Sequence, residues 1–188
     1  MECFSFHPRK LLTAGEGGAI TTNNDEYAEK LNVKLAHGAA LKDGKMDFIT
    51  YGYNYRLPEL QCLMLIKQLE KLDEIVKERI AIQKALDAQI SEAGYVAQKC
   101  ADNATHNIQS LVFTVPEGVK RDQLVQYLKD KEIESTIGTY CLSNCSYYKE
   151  KYNSVQPNAL YLEQNTITLP CYAGVDTDKI AAAILKEI

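Results

Sequence analysis

The sequence predicts an α/β chain. Three observations carry that expectation: short β-type alternations stopped by proline or glycine near the N-terminus, an amphipathic stretch without proline or glycine after Pro58, and a strand–turn–helix alternation after Gly94. With 188 residues, 46% of them hydrophobic, there is material for one sizeable domain or two small ones.

Phe4-Ser5-Phe6 reads as the end of a buried strand, which Pro8 stops by fixing φ and removing a donor, so Lys10 lies just past a strand end. Gly15-Glu16-Gly17-Gly18 forces a tight turn before a second short strand, Ala19–Thr22. Asn23-Asn24-Asp25 is a turn that also supplies an N-cap for a helix from Asp25 to His37. Tyr27, Leu31 and Leu35 share one side of it and Gly38 is its stop. Residues 39–49 are polar, carry Gly44 and show no period, which predicts a loop.

Pro58 in a first turn, with Glu59 near the positive end, starts a helix predicted to run unbroken to Ala93. Leu60, Met64, Leu65, Leu69, Leu72 and Ile75 begin its apolar stripe, which places Met64 and its neighbours in the core. Lys67, Glu70, Lys71, Glu74, Lys77 and Glu78 make a solvated opposite face. Beyond Gly94 the pattern predicts a strand over 110–115, a turn at Pro116-Glu117-Gly118, and a helix over Arg121–Lys131. A short strand over 133–137 and a last helix over 176–188, capped by Asp176, complete it.

The formal net charge is −4, from 21 basic and 25 acidic residues without a dense block of either sign, so neither nucleic acid nor an anionic membrane is an implied partner. No apolar run is long enough to cross a bilayer. Six cysteines, scattered without a CxxC pair or a His–Cys cluster, give no metal-binding pattern. They predict reduced thiols in the cytoplasm, with Cys141 and Cys145 the pair whose spacing merits a check.

Chemistry concentrates around Lys10. A lysine on a rigid turn beside a buried strand either loses its solvent shell, which disfavours the charged amine and makes it a nucleophile for carbonyls, or stays solvated as most lysines after a turn do. Ser5 and His7 offer donors for a phosphate nearby. Asn54 and Arg56, in the loop before the long helix, either suit an anion or bond the backbone at the helix end. His37, beside Gly38, reads as a helix C-terminal histidine favoured by the dipole.

Ser5-Phe6-His7-Pro8-Arg9-Lys10, followed by Thr13-Ala14-Gly15-Glu16-Gly17-Gly18, resembles the lysine segment of the DegT/DnrJ-type (StrS-like) sugar aminotransferases. Gly52-Tyr53-Asn54-Tyr55-Arg56-Leu57-Pro58-Glu59-Leu60-Gln61 resembles a second motif of that family, and Arg121–Ile133 and Leu169-Pro170 resemble its C-terminal domain. The resemblance implies the C-terminal part of a type I aminotransferase fold that binds pyridoxal 5′-phosphate (PLP). Residues 1–56 would be a remnant of the large cofactor domain, 57–93 a connecting helix, and 94–188 a small α/β domain.

It further implies that Lys10 forms the internal aldimine, that Ser5 contacts the cofactor phosphate, and that Asn54 reaches the phosphate site of a homodimer partner. His7 and Arg56 are substrate-side candidates. The implied reaction converts a nucleotide-linked keto-sugar to an amino-sugar with a glutamate-like amino donor. A sister branch that dehydrates sugars carries histidine at the lysine position, so Lys10 points to transamination.

Three departures from the family pattern carry expectations of their own. Glu132 stands where the family's helix-to-strand turn carries glycine, a cost of about 1 kcal/mol if φ is positive there. Residues Gly138–Asn144 lack the histidine often found in the family's substrate-facing loop. Met1 directly precedes the lysine motif, which predicts a fragment lacking the ring-stacking aromatic, the main phosphate-binding helix end and the acid that pairs with the pyridine nitrogen. An isolated half of this kind is expected to expose apolar surface and to aggregate. The contrasting reading is a non-catalytic truncated homologue, either a dimerisation or regulatory module or an inert gene remnant.

Overall fold

Residues 1–187 are described in a computed structural model of the chain, and Ile188, the end of the expected last helix, lies outside them. Contacts divide the chain into one unit spanning Met1–Asp73 and a second that starts at Glu74.

In the first unit, β1 (Glu2–Ser5) pairs antiparallel with β2 (Gly18–Thr21), Ser5 opposite Gly18. Both strands are exposed along their whole length, which corrects the expectation of a buried strand. A two-stranded ribbon has no further strand to shield it, so its apolar residues, Phe4 and Ile20 among them, remain in contact with water. Next comes α1 (Asp25–Leu35), whose Asn24 Oδ1 accepts the Tyr27 N–H at 3.0 Å as an N-cap. It ends two residues earlier than expected. His37 and Gly38 turn left-handed (φ 65° and 80°), and the Gly38 N–H returns to the Val33 carbonyl at 2.8 Å.

The stretch 39–49 is mostly a hairpin, not a loop: β3 (Ala39–Lys42) pairs antiparallel with β4 (Lys45–Phe48). Asp43 and Gly44 lie between them with φ of 52° and 76°, the two successive positive values that a two-residue type I′ turn needs. At its base the backbones of Gly38 and Gly52 touch, an approach that any side chain at Gly52 would block.

The long helix predicted after Pro58 is two helices, α2 (Glu59–Leu69) and α3 (Leu72–Ile90). Between them the Lys71 N–H bonds the Gln68 carbonyl at 3.0 Å, three residues back, which tightens the last turn and ends α2. A 3₁₀ turn, Ser91–Ala93, and left-handed Gly94 finish the segment. The core expected around Met64 is not there: Leu60 and Leu69 of α2 are 72% and 57% exposed, and the buried positions are Ile82, Leu86 and Ile90 on α3. Among the described residues before Glu74, Ala14 is the only buried apolar side chain.

The second unit holds the core. After α3 come β5 (Val96–Ala97), β6 (Leu111–Thr114), α4 (Arg121–Asp130) and β7 (Thr136–Ile137), then α5 (Ser146–Tyr152), α6 (Pro157–Asn165), β8 (Thr166–Leu169) and α7 (Thr177–Glu187). The sheet order is β5-β6-β8-β7, antiparallel throughout. Leu111, Phe113, Ile167 and Leu169 of the sheet pack with residues of α3, α4 and α7, including Leu86, Leu124, Leu128, Ile180 and Ile184. Asp176 caps α7 as expected, its Oδ1 accepting the Lys179 N–H at 2.9 Å. Only the last two residues of the strand expected over 133–137 pair. The fuller central strand, β8, lies between the expected strand and the last helix, where the local pattern predicts no element.

Candidate functional site

Lys10 sits on a loop that joins β1 to β2. Pro8 ends the strand pattern, and the chain then folds back so that the Lys10 N–H donates to the His7 carbonyl at 2.9 Å. The His7 N–H reaches Ser5 Oγ at 3.4 Å, and His7 Nδ1 accepts the Arg9 N–H at 3.2 Å. Ser5, His7 and Lys10 are thereby gathered on one turn. All three are exposed, so Lys10 takes the solvated alternative: the strand beside it is itself wet, and this chain alone does not strip the amine of water.

The turn is pinned at both flanks. On one side the Phe6 N–H donates to the Gly17 carbonyl at 2.9 Å, and the Phe6 carbonyl accepts from Ala14 N at 3.1 Å and from Thr13 Oγ1 at 2.9 Å. On the other, two glutamines of α2 hold the strand-ward arm. Gln68 forms a reciprocal pair with the Thr13 backbone, Oε1 accepting at 3.1 Å and Nε2 donating at 2.6 Å. Gln61 Nε2 donates to the Ala14 carbonyl at 2.7 Å and to the Glu16 carbonyl at 3.3 Å. Sequence reasoning missed Thr13, Gln61 and Gln68 as anchors. The available signal was a pair of glutamines seven residues apart, hence on one face of a helix otherwise rich in leucine.

Asn54 and Arg56 form a second group. The backbone of Tyr53 and Tyr55 donates to the last carbonyls of α1, Lys34 at 2.7 Å and Leu35 at 3.1 Å, satisfying acceptors that a helix end leaves open. Asn54 lies between them in the chain, and the two tyrosine rings stack on each other at 5.0 Å. Its Oδ1 accepts from Arg56 Nε at 2.9 Å, which leaves the carboxamide nitrogen as donor for another group. The pair bonds side chain to side chain, not to the helix-end backbone. Both residues are exposed, and Arg56 also lines a cleft of about 370 Å³ with Phe4, Ile20 and Leu57. Among the described residues no hydrogen bond joins this group to the Lys10 turn.

His37 is exposed and left-handed, its N–H held by the Tyr53 carbonyl at 2.9 Å. All six cysteines are free, so Cys141 and Cys145 are not bridged, and no metal-binding cluster exists among the described residues. Burial pushes the Cys171 thiol up from its ordinary value, with Arg79 opposing, which marks it as a poor nucleophile. No described helix is long and apolar enough to cross a membrane.

The sequence matches the model of the DegT/DnrJ/EryC1/StrS aminotransferase family over residues 1–186. The chain belongs to this family. A UDP-4-amino-4,6-dideoxy-N-acetyl-beta-L-altrosamine transaminase of Campylobacter jejuni subsp. jejuni serotype O:23/36 (strain 81-176) is 30% identical over 179 residues, which are 92% of this chain and 47% of that protein. The structure is similar to that of Helicobacter pylori PseC, an aminotransferase involved in the biosynthesis of pseudoaminic acid. The TM-score is 0.89 at 23% identity, over 98% of this chain and 52% of the other. The PLP form of the putative sugar aminotransferase Spr1654 from Streptococcus pneumoniae superimposes with a TM-score of 0.85 at 21% identity, over 99% and 52% of the two chains. This DegT/DnrJ/EryC1/StrS chain thus carries part of the type I aminotransferase fold and spans about half the length of the curated relatives it matches.

Proposed function

We propose that the chain is the lysine-bearing part of a PLP-dependent aminotransferase that converts a nucleotide-linked keto-sugar to an amino-sugar, with a glutamate-like amino donor. The observation that supports this most is the exposed primary amine of Lys10, on a turn pinned at both flanks, in a chain of an aminotransferase family.

The donor set fits the cofactor in part. Lys10 supplies the amine that would hold PLP, while the Ser5 hydroxyl and the free carboxamide nitrogen of Asn54 suit its phosphate. Asn54 would serve the site of a second copy in a homodimer. When bound, PLP supplies an electron-withdrawing ring conjugated to a reactive carbonyl. The amine of Lys10, freed when the donor amino acid takes its place, would take the proton from the carbon that bears the donor's nitrogen and deliver it to the cofactor carbon, and would run the reverse transfer toward the keto-sugar. His7 and Arg56 offer cationic or donor groups to the substrate. The acid that pairs with the pyridine nitrogen is assigned to the portion of the relatives that this chain does not span, along with the rest of the large domain. Residues 1–56 then complete that domain, 57–93 connect it, and 94–188 form the small domain of a cytoplasmic enzyme.

The test is co-expression of the chain with the remaining half of a relative, followed by addition of PLP. A visible absorption band that disappears in Lys10→Ala is the expected result. A band that survives in Lys10→Ala removes Lys10 from the role. Absence of any band with a well-folded complex favours the non-catalytic dimerisation or regulatory module.

A further inference from the structure

The Lys10 loop is shaped less by the strands it joins than by α2. Residues 13–16 carry four hydrogen bonds to the amides of Gln61 and Gln68, and the same residues hold Phe6 through Thr13 Oγ1 and the Ala14 N–H. Lys10 lies between Phe6 and Thr13, which are tied to each other and, through Thr13, to α2. The strands do not supply this constraint by burial, because β1 and β2 form an exposed two-stranded ribbon. Gln61 and Gln68 lie seven residues apart, so both point to the same side of the helix, and each spans two points on the loop. Gln68 grips both polar groups of one residue. Gln61 bridges the carbonyls of two residues on either side of Gly15, a left-handed glycine (φ 82°) whose own N–H is held by Thr13 Oγ1 at 3.0 Å.

We propose that Gln61 and Gln68 are positioning residues for Lys10: they set the loop from which its amine meets a carbonyl ligand. This rests on the reading of Lys10 as the PLP-binding lysine. An amine presented from a loop with one geometry reacts as a site, with saturation, whereas an amine on a loose loop reacts like any exposed lysine, in proportion to reagent. Lys67 is the internal comparison. It is exposed on the same helix, paired with Glu70 at 2.9 Å and outside the clamp.

The experiment treats the full chain with PLP at rising concentration, traps adducts with borohydride, and maps them by mass spectrometry. In the native chain, trapping at Lys10 should saturate and exceed that at Lys67. In the double variant Gln61→Met, Gln68→Met, which keeps length and apolar packing but removes the amides, the Lys10 yield at low PLP should fall at least threefold and lose its saturation. Trapping at Lys67 should stay unchanged. Single variants keep one half of the clamp and should fall between, which guards against simple misfolding of the double variant. Unchanged saturation at Lys10 in the double variant overturns the positioning role while leaving the Lys10 reading intact. Unsaturable trapping at Lys10 in the native chain also overturns the positioning role, whereas the Lys10 reading itself stands or falls with the absorption band of the co-expressed complex.

Discussion

Glu132 is a residue-scale cost that the structure makes visible. It is the first residue past the C-cap of α4, with φ of 59°. Its N–H bonds the Lys129 carbonyl at 3.0 Å, while the Ile133 N–H bonds the Leu128 carbonyl at 2.9 Å. These two bonds make a Schellman motif, with buried Ile133 and Leu128 as its apolar contact. A left-handed backbone costs a side-chain-bearing residue about 1–2 kcal/mol, and glycine's extra freedom in the unfolded chain returns about 0.4–1 kcal/mol. Glu132→Gly should therefore stabilise the second unit by about 0.5–1 kcal/mol, read as a higher urea midpoint at unchanged slope. A lower midpoint would show that the Glu132 side chain contributes something beyond the turn. The strain was legible through the family resemblance, because the family's helix-to-strand turn carries glycine at this position. Gly138 was not legible in the same way: a Cβ there would run into Thr166, a neighbour that only the β7–β8 pairing brings close.

At the scale of elements, α2 shows what amphipathic spacing does and does not determine. The period correctly predicts a helix, but it does not say whether anything covers the apolar stripe. Leu60, Leu63, Met64, Ile66 and Leu69 are all at least 47% exposed. Together with Met46, Phe48 and Ile49 of the hairpin region they make the first unit unusually apolar at its surface. Leu63→Lys with Ile66→Lys should raise the concentration at which the isolated chain stays monomeric by light scattering, because it places charge on two exposed helix positions. The melting of the second unit should not change. Aggregation that persists at the same concentration would clear this face of responsibility. The hairpin β3–β4 was hidden for a different reason. Its Asp43-Gly44 turn is a strong hairpin signal, but the strands on either side carry lysine and aspartate instead of a clean alternation. The helix break at Glu70–Lys71 has no proline or glycine to announce it.

For the whole molecule, burial is divided very unequally. The second unit contains a contiguous core from sheet, α3, α4 and α7, whereas the first buries one apolar side chain, Ala14, among its described residues. Hydrophobic burial is the main favourable term in folding, so the first unit should open at far lower cost. Limited proteolysis of the isolated chain is expected to remove residues from the first unit early and to leave a resistant fragment that begins near Glu74. Equal resistance of both units, or a monodisperse sample that melts in one cooperative step, would contradict this division.

The sequence by itself determined the family and the α/β class, and it singled out residues as candidates for chemistry. Those are written in local patterns: a lysine after a proline-stopped strand, an Asn-x-Arg before a helix start, an aspartate cap before the last helix. Tertiary structure decided which apolar positions become core, that one helix is two, that residues 166–169 are a central strand, and that amides of α2 anchor the Lys10 loop. The physical reason is common to all of these. Periodicity and turn chemistry act within a few residues of the chain, whereas burial, strand partnership and the capture of a loop by a helix 45 to 55 residues away depend on contacts that no local pattern encodes.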